Sequence, residues 1–170
     1  MKKELESFLT NYDKLIIFGI GNELRGDDAL GPYIINELEN IIGDYNSSKK
    51  LKNNNSNSLI FIDGGSAPEN FTGVIKKENP SHLLVIDAAF MKTIPGTVKA
   101  IGKEELSEVN ASTHSMSLSY LIKYLEKELN FKFLLIGIEP FKMNLGDDIS
   151  SDILKSADSV IDSLSSILLN

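Results

Sequence analysis

The chain has no cysteine and only two histidines among its 170 residues. The missing cysteine excludes disulfide staples, thiolate metal sites and thiol nucleophiles together, so any metal here must take nitrogen and oxygen ligands. Basic residues are in deficit, 17 against 24 acidic, for a formal net charge of −7 and an isoelectric point near 4.9. This balance argues against a general affinity for nucleic acid or anionic membrane and leaves a protein or small molecule as the partner. Long apolar runs are also missing. Nothing approaches the ~20 residues of a membrane-spanning helix, and Met1 to Tyr12, carrying Lys2, Lys3, Glu4 and Glu6, lacks the apolar stretch of a signal peptide. That segment reads as a short amphipathic helix in a cytoplasmic protein.

What is present suits one compact domain spanning residues 1–170, since a 42% apolar chain of this length builds one core and leaves little for a second. Lys14 to Ile20 and Leu83 to Ala88 are almost continuously apolar, the pattern of parallel strands covered on both faces. Ser58 to Asp63 and Phe131 to Ile138 read alike, and Gly96 to Ile101 alternates like an edge strand after a Pro-Gly turn. Helical periodicity fills Ala29 to Ile42, Ser117 to Leu129 and Ile149 to Leu169, with a shorter helix from Glu69 introduced by Pro68. The expectation is an α/β fold: a three-layer α/β/α sandwich around a mostly parallel, five-stranded twisted sheet. Residues 45–58, rich in Asn, Ser and Lys, read as a mobile polar surface loop. A monomer is expected, because no apolar helix face is left over.

In such a sheet ligands bind beyond the carboxyl ends of the strands. There the sequence places Gly19 to Asp28, Asp63 to Phe71, Asp87 to Met91, and Glu139 with Pro140, so acidic groups gather at one edge. A dinucleotide loop begins at Gly19-x-Gly21 but breaks at Leu24, where a third glycine belongs, and Asp27 and Asp28 would repel a pyrophosphate. A serine hydrolase elbow begins at Gly64-Gly65-Ser66 and breaks at Pro68, with no spacing that assigns a base, so Ser66 reads as a turn or capping residue. The third constellation is Asp28, Asp87 and His114, two carboxylates and an imidazole that suit Ni, Zn, Mn or Fe(II). Each has a plainer reading. Asp27 or Asp28 serves as an N-cap of the helix starting at Ala29, and His114 is equally a helix-start residue. Asp87, ending a buried strand, needs a partner. His82, after Asn79-Pro80-Ser81, reads as an exposed loop residue.

The order of these segments resembles the hydrogenase maturation endopeptidases over nearly the whole chain. GIGNELRGDDALGP (Gly19 to Pro32) is similar to that family's opening G-x-G-N-x-x-x-x-D-(D/E)-x-x-G motif, and IDGGSAPENF, LLVIDAAFMKTIPGTV, STHSMSLSYLI and LLIGIEP follow in family order. GGSAPEN and STHSMSLSYL resemble most the branch serving the formate-hydrogenlyase type of hydrogenase. The resemblance implies an endopeptidase, of aspartic type, that removes the C-terminal extension from the precursor of a nickel–iron hydrogenase large subunit after nickel insertion. It carries the family's metal-binding and catalytic roles onto Asp28, Asp87 and His114, with Asp63 as a supporting residue. It also implies that the nickel is supplied by the substrate. Asp63 or Glu139 would then be the base, Glu139 standing where some relatives have glutamine. The competing expectations are a non-catalytic nickel-binding assembly chaperone and a small nucleotide-binding α/β protein.

Overall fold

A computed structural model of the chain describes residues 1–49, 58–108, 110–111 and 118–169. Its strands are β1 (Lys14–Gly19), β2 (Ser58–Asp63), β3 (His82–Phe90), β4 (Val98–Ile101), β5 (Asn110–Ala111) and β6 (Lys132–Ile138). Its α-helices are α1 (Lys2–Phe8), α2 (Leu30–Lys49), α3 (Thr72–Glu78), α4 (Leu118–Leu125) and α5 (Ser151–Leu168). The sheet runs β2-β1-β3-β6-β4. The first four of these strands are parallel, β4 is the antiparallel edge, and β5 adds a two-residue antiparallel bridge to the end of β3.

Alternation along the strands divides the core in two. Leu15 and Ile17 of β1, with Leu84, Ile86 and Ala88 of β3, join one cluster with Leu5 of α1, Ile34 and Leu38 of α2, and Val160 and Leu164 of α5. Ile16 and Phe18, with Leu83 and Val85, face the opposite cluster, where Ile75 of α3 and Leu121, Ile122 and Leu125 of α4 cover the sheet. Helices therefore lie on both faces, which is why β1 and β3 read as unbroken apolar runs. By the same alternation Asp87, two residues beyond Val85, belongs to the α3/α4 face.

Several expectations change in the structure. The helix anticipated over Ala29 to Ile42 continues to Lys49, so 45–49 is helix backbone, while residues 50–57 of the anticipated loop lie outside the described residues. Pro68 does introduce a helix, first as a 3-10 turn over Pro68–Phe71 and then as α3. His82 is no loop residue. It opens β3 at 3% exposure, packs edge-on against Phe8 and Tyr12 with ring centroids 5.2 and 6.3 Å away, and shares a 2.9 Å hydrogen bond with Ser81 Oγ. Among the described residues no helix is long and apolar enough to cross a membrane.

Candidate active site

The loop after β1 sits between its neighbours at the carboxyl edge of the sheet. Ile20 N–H donates to Ile86 O at 2.9 Å, beside Asp87, and Gly21 N–H donates to Gly65 O at 3.0 Å, beside the turn that follows β2. The chain then doubles back, so that Asn22 N–H reaches Asp28 O at 3.1 Å. A Cβ on Gly21, whose φ is +152°, would lie 1.8 Å from that same Asp28 oxygen. A Cβ on Gly19 would lie 2.4 Å from Gly31 O. The glycines of this motif thus let α2 press backbone against backbone on the end of β1, and the contact carries Asp28 to the strand edge.

Asp28 and Asp87 are both fully buried, at 0% exposure. Asp28 lies in a 3-10 turn, Gly26–Ala29, that packs against β3; Asp87 lies in β3 itself, in register with Gly137 of β6. Two of the three expected ligands thus converge on the same edge from separate segments. The third, His114, lies outside the described residues. The described chain leaves off at Ala111, paired with Ala89 just past Asp87, and resumes at Leu118 of α4.

Asp27 does something the sequence did not announce. It is also fully buried, and instead of capping a helix it accepts bonds from the loop after β6. Phe141 N–H and Lys142 N–H donate to Oδ2 at 2.8 Å each, Ser150 N–H donates to Oδ1 at 2.7 Å, and the Ser150 hydroxyl donates to Oδ2 at 3.2 Å. The turn Gly26–Ala29 is entered without a side-chain cap. Glu139, 6% exposed, clamps the loop after β3 in the same manner. Its Oε2 accepts from Met91 N–H at 2.7 Å, Thr93 N–H at 3.1 Å and the Thr93 hydroxyl at 3.0 Å. These are charge-assisted bonds to backbone donors, the strong kind, and they hold both loops in place.

Asp63 is exposed at the end of β2. Its Oδ1 accepts the Gly65 N–H at 2.9 Å, closing the turn through Gly65. Ser66 is exposed in this turn, one of the two roles expected for it, and Ala67 holds the N-cap position of the helix that follows. Beside Asp63 opens a cleft of about 650 Å³, lined in part by Ala29 and by five carboxylates, Glu23, Glu39, Asp63, Asp147 and Asp148, with no basic side chain among the described residues that line it. Asp28 and Asp87 do not line it; Ala29, next to Asp28, does. Tyr33, also in this wall, donates to Asp158 at 3.2 Å, and burial, together with the negative charges of Asp158 and Glu37, holds its phenol above the ordinary range.

Residues 46–167 match the family model described as hydrogenase maturation protease. The chain is 37% identical over 99% of its length, and 96% of the relative's, to a Methanocaldococcus jannaschii protein provisionally named a hydrogenase maturation protease. It is 31% identical to the hydrogenase 3 maturation protease of Escherichia coli over 74% of this chain and 72% of that one. In three dimensions it is similar to the crystal structure of the nickel–iron hydrogenase maturation protease HycI from Thermococcus kodakarensis, with a TM-score of 0.81, 25% identity, and 98% and 99% of the two chains covered. The solution structure of the endopeptidase HycI from Escherichia coli aligns with a TM-score of 0.70 at 27% identity over 90% of each chain. The sandwich, the motif order and the similarity along both chains agree, and the chain belongs to the hydrogenase maturation protease family.

Proposed function

We propose that this protein is an endopeptidase that removes the C-terminal extension from the precursor of a nickel–iron hydrogenase large subunit once nickel has been inserted. The observation that carries the reading is the convergence of the buried Asp28 and Asp87 on one strand edge, in a chain of this family. The narrower resemblance to the formate-hydrogenlyase branch, a cytoplasmic location and a monomeric state belong to the same proposal.

In this reading the nickel arrives as part of the substrate, and Asp28, Asp87 and His114 complete its coordination. Two carboxylates and an imidazole fit a borderline divalent ion. The pairing of Ala111 with Ala89 supports His114, three residues further on, as the third ligand. The ion's contribution is to polarise the scissile carbonyl or acidify a water. The chain's own part is positioning. Coordination of the substrate's nickel fixes the precursor relative to the edge of the sheet, and the loops clamped by Asp27 and Glu139 frame the bond to be cut. Of the two candidate bases Asp63 is the better placed, being exposed at the cleft, whereas Glu139 Oε2 is engaged by three donors of the 91–93 loop.

The test is to mix the purified protein with a nickel-loaded precursor and weigh the precursor by mass spectrometry, with a nickel-free precursor as control. Loss of a C-terminal peptide from the loaded form alone is the expected result. Binding with no change in mass would replace this reading with the nickel-binding chaperone, and cleavage of both forms would remove the nickel requirement.

A further inference from the structure

Of the five most exposed large apolar side chains among the described residues, Tyr120 stands on α4 and the other four share one end of the sheet. Leu24 at 67%, Ile94 at 79%, Phe141 at 71% and Leu145 at 75% exposure all stand on the loops that leave the carboxyl ends of β1, β3 and β6. Those loops are tied to one another. Gly146 N–H donates to Leu24 O at 2.8 Å, joining the tips that carry Leu24 and Leu145, and Arg25 Nε donates to Met143 O at 3.3 Å. Ile94 and Phe141 line one shared hollow of about 510 Å³. Beneath them the buried carboxylates of Asp27 and Glu139 hold the 141–150 and 91–93 backbones.

The four side chains therefore form one crest on a fixed frame. A soluble protein rarely keeps large apolar groups this exposed in one place without a use for them. A crest already held in position loses little conformational freedom when a partner covers it, the condition under which apolar anchors contribute most to affinity.

Charge then selects the occupant. The crest adjoins the acidic cleft through Glu23, next to Leu24, and through Asp147 and Asp148, just past Leu145. Arg25 and Lys142 also stand at this border, Lys142 lining the hollow of Ile94 and Phe141 with its Nζ 3.7 Å from Asp147. In the cleft beyond them, however, Glu23, Glu39, Asp63 and Asp148 keep the balance acidic. A second copy of this chain, at net charge −7, would set like charge against like, and nucleic acid or an anionic bilayer would do the same. A protein surface with apolar groups beside Lys or Arg fits both halves.

On the proposed endopeptidase reading, on which this step rests, we infer that Leu24, Ile94, Phe141 and Leu145 dock the folded body of the precursor, and that the adjoining cleft receives a basic stretch of the same partner. The crest supplies affinity for the partner; the carboxylates supply orientation and speed of encounter, which salt screens.

The experiment is steady-state processing of nickel-loaded precursor by wild type and by the quadruple variant Leu24→Ser, Ile94→Ser, Phe141→Ser, Leu145→Ser, with urea midpoints as a check on folding. Should the quadruple variant not fold, Leu24→Ser with Leu145→Ser takes its place. The expected result is a KM raised about tenfold or more with kcat within about twofold, the pattern of lost uniform binding. The wild-type KM should also climb as sodium chloride is added, and a Glu39→Gln, Asp148→Asn variant should flatten that climb. If wild type cleaves and the crest variant has an unchanged KM, the crest inference falls while the endopeptidase stands. If wild type leaves the loaded precursor uncut, the endopeptidase reading falls and the crest's assignment with it. Concentration-dependent dimers of wild type in sedimentation, lost in the crest variant with KM unaltered, would make the crest a contact between copies and overturn the inference.

Discussion

Asp27 and Asp28 are consecutive, equally buried and chemically identical, yet their expected roles are opposite, and replacing each by asparagine separates them. Asp27 accepts four bonds from residues 141–150, three of them from backbone N–H groups. Hydrogen bonds to a charged acceptor contribute about 1.5–3 kcal/mol each, less when they share an oxygen. Asn keeps the shape but removes the charge from all four bonds, and its NH2 must face at least one backbone donor. Orienting the amide so that its oxygen keeps the Oδ2 position preserves three contacts and sacrifices Ser150 N–H. The loss should therefore be about 3 kcal/mol for Asp27→Asn and about 4–5 kcal/mol for Asp27→Ala, which strands three backbone donors. For a chain of this size that is roughly a 6–12 °C fall in Tm for the Asn variant. Asp28→Asn also keeps shape, and it removes a charge that the proposed chemistry requires. Its urea midpoint should stay within about 1 kcal/mol of wild type while processing of nickel-loaded precursor disappears. At a temperature where Asp27→Asn is folded, some processing should remain. An Asp27→Asn protein as stable as wild type would refute the clamp; a fully active Asp28→Asn protein would refute the site.

Two further substitutions test the frame. Gly21→Ala places a methyl group 1.8 Å from Asp28 O at a φ of +152°, so the loop must move and the Asn22–Asp28 bond must break; a stability loss of about 2–4 kcal/mol with loss of processing is expected, and an active variant with an unchanged urea midpoint would contradict it. His82 supplies a pH test. Burial first, then the charge of Lys132, lower its pKa below the ordinary 6.5, with Asp13 opposing. The neutral ring is the form the fold prefers, so its stabilising contribution is complete above about pH 6.5, the unfolded value, and is lost as pH falls toward the lower folded pKa. The urea midpoint of wild type should drop between pH 7.5 and 5.5 by more than that of His82→Phe; equal drops would mean that other groups set the acid limit. His82→Phe should still process precursor, since His82 sits at the amino end of β3, away from the carboxyl edge.

The layers of the fold were legible because each depends on a local pattern. Lys14 to Gly19 and Leu83 to Ala88 had to be covered on both faces, and α4 and α5 carry one apolar stripe each. The bridge Asn110–Ala111 was not legible: two residues pairing through backbone bonds leave no period to read. Nor was the end of α2, which continues past Ile42, the last buried residue among its described side chains, into a sequence whose composition alone resembles a loop. His82 was misread because Asn79-Pro80-Ser81 marks a turn, while the rings that bury it, Phe8 and Tyr12, come from the other end of the chain. At the candidate site, the placement of Asp28 and Asp87 at the carboxyl edge and of Asp63 at the end of β2 was legible from their positions after apolar runs. The clamping role of Asp27 was not, because its partners lie 114 to 123 residues away.

The glycine spacing at Gly19 and Gly21 shows why a motif must be read together with its charges. In a dinucleotide fold the same β1–loop–helix turn exposes helix N-terminal amides to a pyrophosphate, and the positive end of the helix dipole holds it there. Here the equivalent turn has acidic residues at both Asp27 and Asp28. One carboxylate is consumed by backbone donors from the β6 loop, and the other is carried to the strand edge beside β3. Close glycine packing survives, as the 2.4 Å approach to Gly31 O requires, but the anion is now built into the protein. An external phosphate would meet two internal negative charges and, nearby, the carboxylates of the 650 Å³ cleft. On the proposed reading, a cation presented by a partner would meet a turn already charged to receive it, and one backbone topology would serve opposite ligands according to two side chains.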